Sequence, residues 1–144
     1  MFSEEWDQVY EQNLQFSVWP WSDLVSFVMR YAKPNTKEHS RVLELGFGLG
    51  ANIPFLLSFG TKVSYFGLEG SAIAVENVQK RYPQIQNQII QADFCREIPV
   101  DGEFDIIVDR SSLTHNPTSA IKNTLAILHE KLKPGGVFIG IDWF

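Results

Sequence analysis

The stretch Arg41-Val-Leu-Glu-Leu-Gly-Phe-Gly-Leu-Gly-Ala51 constrains this chain more than any other. Val42, Leu43 and Leu45 form an apolar run suited to a strand buried on both faces, as in a parallel sheet covered by helices. The run stops at Gly46. Gly46, Gly48 and Gly50 permit backbone angles and close approaches that a side chain would forbid, so a ligand can lie against the main chain. Asn52-Ile-Pro54 then reads as a helix start, with Asn52 as its cap and Pro54 in the first turn. Free N–H groups at such a start favour an anionic group.

Glycines alone do not name the ligand. Gly46-x-Gly48-x-x-Ala51 also satisfies the dinucleotide pattern G-x-G-x-x-G/A, which is weak when it stands by itself. Glu44 points elsewhere, because a carboxylate two residues before the first glycine repels a pyrophosphate and accepts hydrogen bonds from an ammonium group or hydroxyls. With Glu44-Leu-Gly46-Phe-Gly48-Leu-Gly50 the sequence resembles the class I S-adenosylmethionine-dependent methyltransferases, whose first motif reads E/D-x-G-x-G-x-G. The resemblance implies S-adenosyl-L-methionine as cofactor, with Glu44, Gly46, Phe47, Gly48, Gly50 and Asn52 in its site.

The rest of the chain can be read in order. Ser3 to Tyr10 suits a short helix with Trp6, Val9 and Tyr10 on one side, and Gln12 to Val18 is irregular. Ser22 is placed to cap a helix carrying Leu24, Val25, Val28 and Met29, which Lys33-Pro34 ends. Trp19 and Trp21 flank a proline ahead of it. They either bury area against the core or form a lid whose aromatic faces meet a cation. Phe55, Leu56, Leu57 and Phe59 fill a helix that Gly60 can terminate. Val63 to Leu68 is the second strand, ending on Glu69-Gly70-Ser71. An acid there, about 20 residues past the glycine turn, suits both ribose hydroxyls of a nucleotide in either fold family.

Ser71 caps a helix over Ala72 to Tyr82, stopped by Pro83, and Gln88 to Ala92 is the third strand. It ends on Asp93-Phe94, an acid and an aromatic ring that the resemblance assigns to adenine recognition. Phe104 to Asp109 is the fourth strand, running into Arg110-Ser-Ser-Leu-Thr-His115. With the strand order 3-2-1-4-5 that the resemblance implies, a ligand crevice lies between the first and fourth strands, with Asp109 and Arg110 facing it. Asn116-Pro117 opens a helix whose Ile121, Leu125, Leu128 and Leu132 share one face. Leu132-Lys-Pro-Gly-Gly136 reads as the turn into a fifth strand, Val137 to Ile141, and similar turns precede that strand in class I methyltransferases.

The expected fold is therefore α/β, a Rossmann-like three-layer α/β/α sandwich in one domain. Residues 1–34 form N-terminal helices covering the cofactor site and residues 40–144 form the core. The family's usual C-terminal strand pair is missing, which suggests a truncated chain or a homo-oligomer covering the exposed fifth-strand edge.

Composition narrows the function. The 144 residues carry a net charge of −5, which argues against nucleic acid as partner. A lone cysteine, Cys95, excludes an intrachain disulfide framework, and there is no signal segment or membrane-length apolar run, which together suit a soluble cytoplasmic protein. Asp109-Arg-Ser-Ser112 replaces the N/D-P-P-Y/F motif of DNA amine methyltransferases, and the Pro-Cys nucleophile of cytosine C5 enzymes is absent. No metal-ligand cluster is apparent. A small-molecule acceptor remains by exclusion. His115 is the histidine best placed to act as a base, or it is simply a loop side chain, so no catalytic residue is assigned. Two alternatives stay open: an NAD(P)-dependent oxidoreductase and a non-catalytic nucleotide-binding module.

Overall fold

A computed structural model describes residues 3–12, 17, 19–36 and 38–142, so most of the irregular stretch before Trp19 and the last two residues lie outside the description. Its centre is a five-stranded sheet of order β3-β2-β1-β4-β5. The strands are β1 (Ser40–Leu45), β2 (Val63–Glu69), β3 (Ile89–Gln91), β4 (Phe104–Arg110) and β5 (Leu132–Ile141), all paired in parallel. The sheet order is the expected one, and β1 lies between β2 and β4, where the connection reverses direction.

Successive side chains of a strand point to opposite faces, and that rule builds the two halves of the core. Val42 of β1 and Ile106 and Val108 of β4 join one apolar cluster with Leu24, Ile53, Leu56, Tyr65 and Val78. Their neighbours Leu43, Leu45 and Ile107 join the other with Leu68, Phe104, Leu113 and Leu128. Helices α2 (Ser22–Phe27), α3 (Ile53–Leu57) and α4 (Ala72–Arg81) supply the first cluster, and α5 (Thr118–Lys131) the second. A short helix α1 (Glu5–Glu11) lies against α4.

Local signals were followed unevenly. Ser71 caps α4, its Oγ accepting the Ala74 N–H at 3.2 Å. Ser22 is the first helical residue of α2 rather than its cap, and Asp23 Oδ1 accepts the Leu24 N–H at 2.7 Å instead. The helix continues as a wider turn over Val28–Ala32 and stops at Lys33, whose φ of 47° ends it before Pro34. Leu132-Lys-Pro-Gly-Gly136 is not a separate turn but the start of β5. Leu132 already pairs with Phe104, and the register shifts before Val137 pairs with Ile106, with Gly135 at φ 76° in the extra length. The leucine stripe of α5 is only partly covered: Leu128 and Thr124 are buried, while Ile121 and Leu125 are half-buried.

Among the described residues no helix is long and apolar enough to cross a membrane.

Leu43 is fully buried at the sheet's centre. Leu43→Ala is expected to cost about 2–5 kcal/mol through lost burial and the cavity left behind. Urea unfolding would check this, and a loss well under that range would contradict a tightly packed second cluster.

Candidate functional site

A cavity of about 370 Å³ opens at the carboxyl ends of the strands, within the range of small-molecule pockets. Its floor is the glycine turn. Gly46, at φ 60°, donates its N–H to Leu68 O at 2.8 Å, and a Cβ there would overlap the Ser112 side chain. Gly46, Phe47, Gly48 and Asn52 all line the cavity, as do Glu69, Gly70, Asp93, Phe94 and Arg110. Three strands and the glycine turn thus deliver nine of the expected residues to one place.

Glu69 closes the far side of the turn. It is 6% exposed, and its carboxylate accepts the N–H groups of Gly48 at 2.9 Å and Ser71 at 3.1 Å. Burial raises its pKa, against the lowering effect of those backbone donors. A carboxylate has more lone-pair sites than these two bonds use, and in this desolvated place it favours a partner that donates hydrogen bonds. Asp93 Oδ1 accepts the Cys95 N–H at 3.1 Å, and the other oxygen lies 3.4 Å from Arg96 Nε.

Four expected residues stand behind the wall instead. Glu44 is 2% exposed and does not line the cavity; its carboxylate accepts from Asn52 Nδ2 at 2.8 Å and from the Tyr65 hydroxyl at 2.7 Å. The strand's alternation turns Glu44 to the Val42 face, into the core beneath the turn. Gly50 is likewise outside the lining, since a Cβ there would press on Ile53 and Val78 at 3.0 and 3.2 Å. Ser71 faces α4 and donates its hydroxyl to Asp7, tying α1 down. Asp109 is fully buried; it accepts the backbone N–H groups of Ser112 at 3.3 Å and Leu113 at 3.1 Å, and also the Ser112 hydroxyl, so it shapes the turn after β4.

Asn52 lines the cavity but caps nothing. Its backbone is already helical and its side chain is engaged with Glu44 and Trp21. Helix α3 is only five residues long.

The wall also contains residues that sequence reasoning had not placed there. Trp6 and Tyr10 reach in from α1, and Ser111, Ser112 and Asn116 follow β4. Trp6 and Tyr10, four apart on one helical face, belong to the N-terminal helices expected over the cofactor site, although neither was singled out as a site residue. The Tyr10 pKa is raised, first by burial and then by Glu69 and Asp7. Trp21 lines the cavity, whereas Trp19 is 77% exposed and does not. Arg110 stacks on the Trp21 ring at 3.5 Å and pairs with Asp142 at 2.7 Å and Asp23 at 3.7 Å. His115 is exposed at the rim, with Trp6 packed edge-on at 5.0 Å. Among the described residues there is no group of three or more potential metal ligands.

A family model described as a methyltransferase domain matches residues 42–136. No match was found among curated proteins. Solved structures are similar: a glycopeptide N-methyltransferase complexed with sinefungin is 25% identical, with a TM-score of 0.67 over 82% of this chain and 48% of its own. The CcbJ methyltransferase from Streptomyces caelestis is 20% identical, with a TM-score of 0.73 over 96% of this chain and 58% of its own. An S-adenosylmethionine-dependent methyltransferase from Clostridium acetobutylicum is 16% identical, with a TM-score of 0.68 over 95% and 56%. The chain spans about half the length of these structures.

Two outcomes test the geometry. Glu44 and Glu69 both have raised pKa values, chiefly through burial, so the folded state holds their protons more tightly than the unfolded chain. Their contribution to stability is full below the ordinary carboxyl value of 4.5 and is lost as pH rises through the raised values. Thermal unfolding should show a melting temperature that falls with rising pH in this window, and Glu44→Gln should flatten the fall. Gly46→Ala adds a clash to a left-handed backbone and should cost about 2–4 kcal/mol in urea unfolding. Gly60→Ala is the control: its φ of 59° is as strained but nothing lies within 4 Å, so about 1–2 kcal/mol is expected.

Proposed function

Because the chain belongs to the methyltransferase domain family, we propose that its cavity binds S-adenosyl-L-methionine and that the protein transfers the methyl group to a small-molecule acceptor. The observation that carries this reading is the convergence of the glycine turn, Glu69 and Asp93-Phe94 on one cavity beside the strand-order switch. The groups present fit such a cofactor. Glu69 is a desolvated acceptor suited to ribose hydroxyls, Asp93 is an acceptor suited to an adenine amino group, and Phe94 adds an aromatic face. Gly46 and Gly48 of the glycine turn line the cavity, and Arg110, Ser112 and Asn116 add polar groups beyond it.

Bound S-adenosyl-L-methionine supplies a methyl group already activated on sulfur. The chain's own residues then have three tasks: to orient the reactants, to exclude water and to accept a proton if the acceptor must lose one. Trp6, Tyr10, Phe47 and Trp21 cover the cavity with apolar surface and serve the second. His115 stands exposed at the rim, and no residue is assigned the proton-accepting role. A small acceptor is supported by the net charge of −5, which disfavours a polyanion, and by the size of the cavity. The family match leaves the oxidoreductase alternative without support of its own.

Calorimetric titration with S-adenosylhomocysteine tests the reading. The chain should bind it with a Kd in the micromolar range, about −8 kcal/mol, while NADH gives no heat. Glu69→Ala and Asp93→Ala should each weaken binding by about tenfold or more, through loss of hydrogen bonds to a carboxylate. Absence of binding by the unaltered chain, or affinity indifferent to both substitutions, would overturn the proposal.

A further inference from the structure

Trp21 is held at the cavity wall from two sides. Its backbone N–H donates to Asn52 Oδ1 at 3.1 Å, and its ring lies beneath the Arg110 guanidinium. Asn52 Nδ2 in turn donates to Glu44 Oε1 at 2.8 Å, and the Tyr65 hydroxyl donates to Glu44 Oε2. These contacts connect β1, β2, the glycine turn and the start of α2 in one line.

Resting on the cofactor reading above, we propose that Asn52 is a positioning residue: Glu44 orients its amide so that it fixes Trp21 as a wall of the cofactor pocket, while Arg110 holds the Trp21 ring. An asparagine amide has a donor end and an acceptor end that are nearly alike in shape. In this position only one orientation works. The Trp21 N–H needs an acceptor, so Oδ1 must face it, and the donor end must then meet an acceptor inside the core. A carboxylate oxygen is that acceptor, with Tyr65 occupying its other oxygen. The Glu44 of the glycine motif thereby acts on the pocket from behind, through Asn52. The groups that bear on its charge are Tyr65 and Glu69 of β2, Asp109 of β4 and Asn52 itself.

Exchanging the two groups tests the line. Asn52→Asp sets two carboxyl groups against each other, and one of them must hold a proton for the contact to survive. S-adenosylhomocysteine affinity should fall about tenfold or more at about pH 8 and recover as pH is lowered toward about 5.5, with a much flatter profile in the unaltered chain. In the double variant Asn52→Asp/Glu44→Gln the donor and acceptor ends are exchanged without repulsion, and affinity at about pH 8 should return to within about threefold of the unaltered chain. Acrylamide quenching of Trp21, as the sole tryptophan after Trp6→Phe, Trp19→Phe and Trp143→Phe, should rise in Asn52→Asp and fall again in the double variant.

Rescue by exchange separates positioning from direct ligand contact, since a lost contact to the ligand is not restored by a change at Glu44. The proposal is overturned if Asn52→Asp binds normally at about pH 8, if the double variant stays weak, or if circular dichroism shows the double variant unfolded. If the unaltered chain does not bind S-adenosylhomocysteine, the proposed function fails, and Trp21 quenching alone then decides the positioning role.

Discussion

The interaction that ties the glycine motif to the cavity wall is a carboxylate buried in the middle of the sheet. Removing a charge from water costs far more than one hydrogen bond returns, so Glu44 is tolerable only because two donors meet it. Those donors lie on different elements: Tyr65 on the neighbouring strand and Asn52 beyond the glycine turn. Each is oriented by the acid's need to be satisfied, and Asn52 passes the orientation on to Trp21. Burial still raises the Glu44 pKa, and the like charges of Glu69 and Asp109 add to it.

A second constraint is closeness of backbones. β1 and β4 are neighbours, and the turns that follow them meet where Gly46 leaves no room for a Cβ against Ser112. Ser112 can come that near because Asp109 gathers the N–H groups of the turn after β4, and the Ser112 hydroxyl also donates to Leu45 O at 3.1 Å. Glu69 does the same for the other side by accepting from Gly48 and Ser71. Asp109 and Glu69 thus organise the turns at their strand ends, and of these two only Glu69 lines the cavity.

The strands were legible because they rest on local patterns: continuous apolar runs, glycines after β1 and acids at strand ends; their order, and with it the cavity's place, came from the family resemblance of the glycine motif. Glu69, Asp93 and Phe94 line the cavity for the same reason, since the end of a parallel strand has one direction to face. Glu44 and Asp109 were read as facing the ligand, yet side-chain alternation and turn hydrogen bonding take them inward. The N-terminal helices were expected over the site as a whole, but that Trp6 and Tyr10 line it depends on how α1 lies on α4, which no local pattern records.

The sequence by itself determined a parallel α/β sheet with a backbone-lined turn after its first strand, because hydrophobic periodicity and glycine's freedom act over a few residues. Only the tertiary structure decided which polar groups reach the cavity and which brace it. A carboxylate's role depends on which donors are within about 3 Å of it, and those at Glu44 and Asp109 come from strands, turns and helices brought together by packing.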